Sequence, residues 1–174
     1  MGIQFETDYN METLTAMAKS LRKTVRKKRS RRVHIFAAVV LILGLLTILA
    51  TTAGGEALGA SGVVTLLAML VVILVSLFED RLNAWFARRH LLPGTEHAAA
   101  TFEEDGYVSA TGVTESRFSY AQIVAVAETA RYFVFALSSH HTQAYDKRTI
   151  RGGSVEDFRA FIAEKTGKLV ENIK

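Results

Sequence analysis

The chain has 174 residues and no cysteine, which excludes disulfide bonds, thiolate metal sites and thiol nucleophiles. The net charge is +4, but nine of the 21 basic residues lie between positions 19 and 32, and the rest of the chain is slightly acidic. We call residues 19–32 the basic segment. Its nine basic residues are Lys19, Arg22, Lys23, Arg26, Lys27, Lys28, Arg29, Arg31 and Arg32. Any partner that the positive charge attracts is therefore expected at this segment.

The N-terminal part of the chain predicts a strand followed by a helix. Residues 2–7 alternate between apolar and polar side chains, as in a half-buried strand. Asn10 has the character of a helix N-cap, with Glu12 in the first turn. No helix-breaking residue occurs between Asn10 and Ala53. We therefore expect one long helix, or two nearly collinear helices, over this stretch.

Two apolar segments are each long enough to cross a membrane as a helix. Residues 33–53 contain no Asp, Glu, Lys or Arg, and at ~1.5 Å per residue they cover a hydrocarbon core of ~30 Å. The first segment begins too late and is too long for a signal peptide. Residues 62–78 are also uncharged, and the uncharged residues before them extend the second segment. We predict a transmembrane helical hairpin with spans at about 33–53 and 60–78, the second helix continuing to about His90.

The orientation of this hairpin follows from its flanking charges. The basic segment precedes the first span, and Arg81, Arg88 and Arg89 follow the second. The intervening turn contains Glu56 but no Lys or Arg. Because positive residues remain on the cytoplasmic side, we predict a multi-pass protein of the plasma membrane with both termini in the cytoplasm. Gly55 and Gly59 in the turn match the G-x-x-x-G pattern of helix-packing motifs. Because the pair encloses Glu56, we interpret the two glycines as turn residues and not as a helix-packing face.

The basic segment favours a membrane role over a nucleic-acid role. Residues 27–32 resemble a nucleic-acid-binding patch, but they lie directly before an apolar span. Basic residues at that place fix the topology and attract anionic lipids, at about 1 kcal/mol per residue near the surface. We expect lipid contact and no nucleic-acid partner. Trp85 and Phe86, just past the second span, lie where aromatic side chains commonly meet lipid headgroups.

From residue 96 the pattern changes to a period of two, which predicts a β-rich domain. Strands are predicted over 98–103, 107–110, 114–120, 123–127, 132–137 and 142–146. A final amphipathic helix is predicted from the capping-box spacing of Ser154 and Asp157, the apolar stripe through Phe158 and Ile162, and Gly167 at its end. This is an α+β domain in which an antiparallel meander is closed by a helix. We also expect the N-terminal strand to join this sheet, since its apolar residues need a partner.

Nearly the whole chain resembles the YcxB-like family of bacterial membrane proteins. The resemblance rests on two spans followed by strands, the motif Tyr145-Asp146-Lys147-Arg148, and the motif at residues 156–161 (EDFRAF). It implies that the C-terminal domain, residues 91–174, is pleckstrin-homology-like. Asp146 stands where the family typically has proline, and Tyr120 where tryptophan is common. The resemblance implies a fold and no particular mechanism.

No catalytic or metal-binding constellation emerges from the residue pattern. Ser138, Ser139, His140 and His141, with Asp146 downstream, are expected at the tip of a hairpin, which lacks walls and an oxyanion hole. Adjacent histidines on a strand point to opposite faces and do not easily ligate one ion. We therefore expect no enzyme, no cofactor and no metal. The spans carry no charged residue, which argues against a transporter built from one copy.

These observations leave a binding role as the first hypothesis. Lys147, Arg148 and Arg151 form a second basic group, interpreted either as a solvated turn or as a contact for headgroups or a partner. We expect a non-enzymatic, membrane-anchored adaptor that presents its pleckstrin-homology-like domain to a protein or peptide partner at the inner leaflet, with an open sheet edge able to add a strand. The alternatives are an accessory subunit acting through its hairpin and a self-assembling, pore-like protein. Homo-oligomerisation is left open.

Overall fold

The computed structural model describes residues 2–54 and 59–173. The chain divides into two compact units, of which the first comprises Met1–Lys27 with Asn83–Lys174 and the second comprises Lys28–Leu82. The predicted turn around Glu56, including the Gly55 end of the G-x-x-x-G pattern, lies outside the described residues.

The second unit consists of two apolar helices, α2 (Lys27–Ala53) and α3 (Ala60–Leu77). No residue of either helix is buried within the protein, and both are long and apolar enough to cross a membrane. The two helices approach closely at Gly44, where an added Cβ would lie 2.8 Å from Met69 Sδ. The hydroxyls of Thr47 and Thr65 donate hydrogen bonds to carbonyls of their own helix, which satisfies them without water or a partner.

The first sheet of the first unit joins the two ends of the chain. It contains β1 (Ile3–Asp8), β2 (His97–Phe102), β3 (Tyr107–Thr111) and β4 (Glu115–Phe118), antiparallel in that order. Strand β1 pairs with β2 along its whole length, which confirms that the N-terminal strand joins the C-terminal domain. The apolar helices are therefore inserted, in chain order, between two neighbouring strands of one sheet.

The second sheet contains one strand that the residue pattern did not predict. Its order is β7-β6-β5-β8, with β5 (Ala125–Glu128), β6 (Tyr132–Ala136), β7 (Thr142–Asp146) and β8 (Val170–Asn172). Strand β8 runs parallel to β5, so the predicted purely antiparallel meander ending in a helix is wrong at this edge. Gly167 has the left-handed conformation (φ +64°) that ends the preceding helix, as predicted for its position.

Three further helices belong wholly or partly to the first unit: α1 (Met11–Lys23), α4 (Glu79–Arg89) and α5 (Val155–Thr166). The predicted caps are confirmed: Asn10 Oδ1 accepts hydrogen bonds from the backbone of α1, and Ser154 with Asp157 forms a capping box on α5. The long N-terminal helix is interrupted by a turn at residues 24–26, and Phe78 separates α3 from α4. The predicted strand 114–120 ends at Phe118, because Ser119 caps a short 3-10 turn.

Two hydrophobic clusters lie on opposite faces of the second sheet. The larger cluster lies between the two sheets and α5, and it is rich in aromatic residues: Phe5, Phe102, Tyr107, Phe133, Phe135, Tyr145 and Phe158. The smaller cluster joins the opposite face of β6 to α1, through Tyr132 and Val134. Every residue of β6 is buried, as expected for a strand covered on both faces.

Candidate ligand-binding groove

The three basic residues predicted as a partner contact do not form one patch. Lys147 is only 15% exposed and donates from Nζ to Glu128 Oε1 at 2.9 Å and to the Thr129 carbonyl at 2.7 Å. Arg148 pairs with Asp146 at 3.0 Å. Arg151 instead lies beside β1, where it pairs with Glu6 at 3.4 Å. Each cation therefore has an acidic partner within the first unit.

Glu128 forms the most buried ion pair of the first unit among the described residues. Its carboxylate is 7% exposed and accepts hydrogen bonds from Arg159 (2.6 Å) and Lys147 (2.9 Å). The hydrogen bond from Arg159 is the main reason that the pKa of Glu128 is lowered, with Lys147 acting in the same direction. Two cations on different elements, the turn after β7 and helix α5, are thus held against the end of β5.

The basic segment is divided between several elements. Lys19, Arg22 and Lys23 lie on α1, and an exposed group lies at the start of α2: Lys27, Lys28, Arg29, Arg31 and Arg32. Arg26, in the turn between these helices, donates to the Ser139 carbonyl at 2.6 Å and contacts His140 Nδ1 at 2.9 Å. The β6–β7 turn, expected to be solvated, is thus held by an arginine from the basic segment.

The inner face of the first sheet changes from large to small side chains along its length. At one end Phe102 is paired with Tyr107, and both are fully buried. The next inward pairs are Ala100 with Ser109 and Ala98 with Thr111. Because these side chains are too small to fill the space in front of them, a cavity of about 400 Å³ remains there. Helix α1, the C-terminal half of α4 and the β6–β7 hairpin supply its other walls.

Gln143 is the buried polar residue of this cavity. It is 7% exposed, and its Oε1 accepts hydrogen bonds from the hydroxyls of Tyr107 and Tyr145, both at 2.7 Å. Burial raises the pKa of both tyrosines, so both hydroxyls remain protonated donors near neutral pH. The carbonyl end of the amide is therefore occupied. No acceptor for the amide nitrogen is found among residues 2–54 and 59–173, and this nitrogen is not one of the fully buried atoms that lack a partner. A cavity occupant with a hydrogen-bond acceptor can therefore reach it.

The outermost strand of the first sheet, β4, forms one wall of the cavity. It pairs with β3 on one side only, so within the described chain its other edge has no strand partner. Ser116 and Phe118 line the cavity from this strand, and the ring of Phe118 contacts that of His141 at 6.4 Å. A free strand edge and a partly polar cavity are thus adjacent. We call this combination the β4 groove.

The β4 groove is lined mainly by hydroxyl-bearing and apolar side chains. Hydroxyl groups come from Ser109, Thr111, Thr114, Ser116 and Thr142, and apolar surface comes from Leu14, Met17 and Phe118. The imidazoles of His140 and His141 also line it, and no carboxylate, lysine or arginine among the described residues does. Within the described ranges, no group of three or more His, Asp or Glu side chains could hold a metal ion. The geometry suits binding of a neutral, partly apolar group.

The residue pattern alone did not point to the β4 groove. Its best local indication is in β3, where the small polar residues Ser109 and Thr111 follow Tyr107 at alternate positions and so share its face. The pattern gives no indication that Gln143 meets two tyrosines, because the residues that it joins are 36 and 2 positions away along the chain.

The architecture defines a two-sheet, helix-capped domain whose chain is interrupted by two apolar helices. Residues 102–162 match the family model described as YcxB-like protein, which confirms the predicted resemblance to this family over that segment. The matched segment runs from the end of β2 into α5 and so contains β3 to β7 and the β4 groove. No curated protein and no solved structure matches the chain.

Proposed function

We propose that this protein is a membrane-anchored adaptor whose cytoplasmic domain binds a protein partner through an extended peptide. The hairpin of α2 and α3 is the anchor, and the basic segment contacts anionic lipids and keeps both termini in the cytoplasm. The domain is pleckstrin-homology-like, and the order of its elements supports this: strands β1 to β4 form one sheet, β5 to β7 the core of a second, and α5 follows.

The observation that carries the binding proposal is the free edge of β4 beside the cavity. A partner strand added to β4 forms backbone hydrogen bonds with an edge that is otherwise unpaired. Because side chains of a strand alternate, one side chain of the bound peptide then enters the cavity. The lining selects an uncharged side chain with a hydrogen-bond acceptor, which the amide nitrogen of Gln143 contacts.

A cavity-filling substitution tests this proposal. Ser109→Phe fills the cavity from β3. We expect the amount of co-purifying partner protein to fall at least tenfold. The measurement is purification of the full chain in mild detergent, followed by quantification of the co-purifying proteins by mass spectrometry. Val108→Phe is the matched control, because Val108 is the next residue of the same strand and points to the opposite face. Retention of the partner by both variants, or purification of the wild type without any stoichiometric protein, contradicts the proposal.

The topology has its own test, which uses the absence of native cysteine. A cysteine placed at Ala57, in the turn between the spans, is expected to react with a membrane-impermeant maleimide on intact cells. Leu169→Cys is the internal control, because Leu169 is 89% exposed in the folded domain, whereas the alternative position Ala98 is buried in β2. We expect labelling at Leu169→Cys only after lysis. The reverse pattern would overturn the predicted orientation.

A further inference from the structure

Helix α4 is short, and most of its side chains are exposed to solvent. It has 11 residues, and only Ala84 among them is buried. Trp85 and Phe86 remain 40% and 54% exposed, with their rings in edge-to-face contact at 5.0 Å. A helix of this length is marginal in water unless another surface packs against it. The two adjacent aromatic side chains form an exposed apolar surface, and such surfaces often contact a membrane or another protein.

The last turn of α4 adds two arginines to these aromatic residues. Arg88 and Arg89 are both exposed, and within the described residues neither forms an ion pair with a carboxylate. The guanidinium carbon of Arg89 lies 3.8 Å from the ring centroid of Trp85. Together with Met11 and Trp85, the two arginines line a surface depression of about 430 Å³. Positive charge, aromatic surface and an open depression thus coincide.

We propose that α4 is an interfacial helix and that Arg88 and Arg89 bind the phosphate of an anionic phospholipid. A planar guanidinium binds phosphate oxygens through paired hydrogen bonds, and tryptophan prefers the depth at which headgroups meet acyl chains. The order of elements supports an interfacial location for α4, because only Phe78 separates α4 from the end of the apolar helix α3. The inference rests on membrane insertion of α2 and α3 and is independent of the peptide partner.

Trp85 is the sole tryptophan of the chain, so its fluorescence reports on α4 alone. We expect that full-length protein in phosphatidylcholine–phosphatidylglycerol vesicles shows Trp85 emission that is quenched by brominated phospholipid and protected from aqueous acrylamide. Flotation of the vesicles after a carbonate wash reports membrane insertion separately. Inserted protein whose Trp85 is quenched by acrylamide and not by brominated lipid overturns the inference, whereas protein that fails to insert contradicts the anchor itself.

Headgroup selectivity tests the role of the arginines. Brominated phosphatidylglycerol and brominated phosphatidylcholine are compared as quenchers, which gives the relative association constant beside Trp85. We expect a preference for phosphatidylglycerol that falls about fivefold for each arginine removed, in Arg88→Gln and Arg89→Gln. The control for the double variant Arg88→Gln with Arg89→Gln is Arg117→Gln with Lys168→Gln, which also removes two positive charges but elsewhere in the first unit. An unchanged preference in the Arg88/Arg89 variants, an equal fall in the control, or competition by inorganic phosphate overturns the assignment to lipid.

Discussion

Phe102→Ala is expected to destabilise the first unit by about 3–5 kcal/mol, which is the usual cost of removing a buried phenylalanine. Phe102 is 1% exposed and lies at the centre of the aromatic cluster. Its ring contacts five others, from both sheets and α5: Phe5, Tyr107, Phe135, Tyr145 and Phe158. Because small domains are stable by only ~5–15 kcal/mol, this single change removes a large part of the total.

The measurement is urea unfolding of the full chain in mild detergent, followed by the near-ultraviolet circular dichroism of its five tyrosines, all of which lie in the first unit. Leu169→Ala is the control, because Leu169 is 89% exposed and its truncation is expected to change the free energy of unfolding by less than about 0.5 kcal/mol. Similar small losses for both variants would show that the cluster around Phe102 is not the core of the domain.

Glu128→Ala is expected to lower the free energy of unfolding by about 3 kcal/mol, for an electrostatic reason. The substitution leaves Lys147, only 15% exposed, without the carboxylate that its ammonium contacts at 2.9 Å. A buried charge that loses its partner is strongly destabilising. The double variant Glu128→Leu with Lys147→Met removes both charges of this pair and leaves Arg159, which is 40% exposed and so can be solvated. It is expected to recover most of the loss. Glu103→Ala, which breaks an exposed pair with Arg117, is the control and is expected to change stability little.

The Glu128 carboxylate also predicts that the stability of the first unit depends on pH. Arg159 and Lys147 lower the pKa of Glu128 in the folded protein relative to its ordinary value of about 4.3. A lowered folded pKa means that this stabilisation is fully present above about pH 4.3 and is lost as the pH falls through the folded pKa. We expect the difference in unfolding free energy between wild type and Glu128→Gln to be constant near neutral pH and to shrink below about pH 4. A difference that grows on acidification would contradict this assignment.

The local features of the fold could be predicted from the sequence because they depend on interactions between residues that are close together in the chain. Asn10 caps α1 by accepting hydrogen bonds from the backbone of the residues two and three positions further along the chain. Ser154 and Asp157, three positions apart, cap α5 in a similar way. The short apolar run at residues 132–137, rich in aromatic residues and bounded by turn residues, likewise indicates a strand from neighbouring side chains alone. Strand β8 has three residues and no alternation of its own, and its pairing with β5 depends on where α5 ends.

The candidate sites depended on contacts between residues distant in sequence. The pairing of Lys147 with Glu128 joins the turn after β7 to the end of β5, which become neighbours because β6 and β7 are antiparallel. The residue pattern instead placed Lys147 with Arg148 and Arg151 in one basic group. The β4 groove exists because register places small residues of β2, β3 and β4 side by side in front of Gln143. Neither arrangement could be predicted from the residue pattern, because each forms only when elements that are distant in sequence pack together.

Composition, periodicity and capping predicted the two apolar helices, the charge asymmetry around them, the strand-rich C-terminal domain with its capped final helix, and the joining of the N-terminal strand to that domain. These features follow from interactions over a few residues. The tertiary structure was needed to show that β1 pairs specifically with β2, that β8 covers one sheet edge while β4 has a free edge within the described chain, and that a cavity lies beside that free edge. Those outcomes depend on which distant surfaces bury each other, and that is settled by the packing of the whole domain.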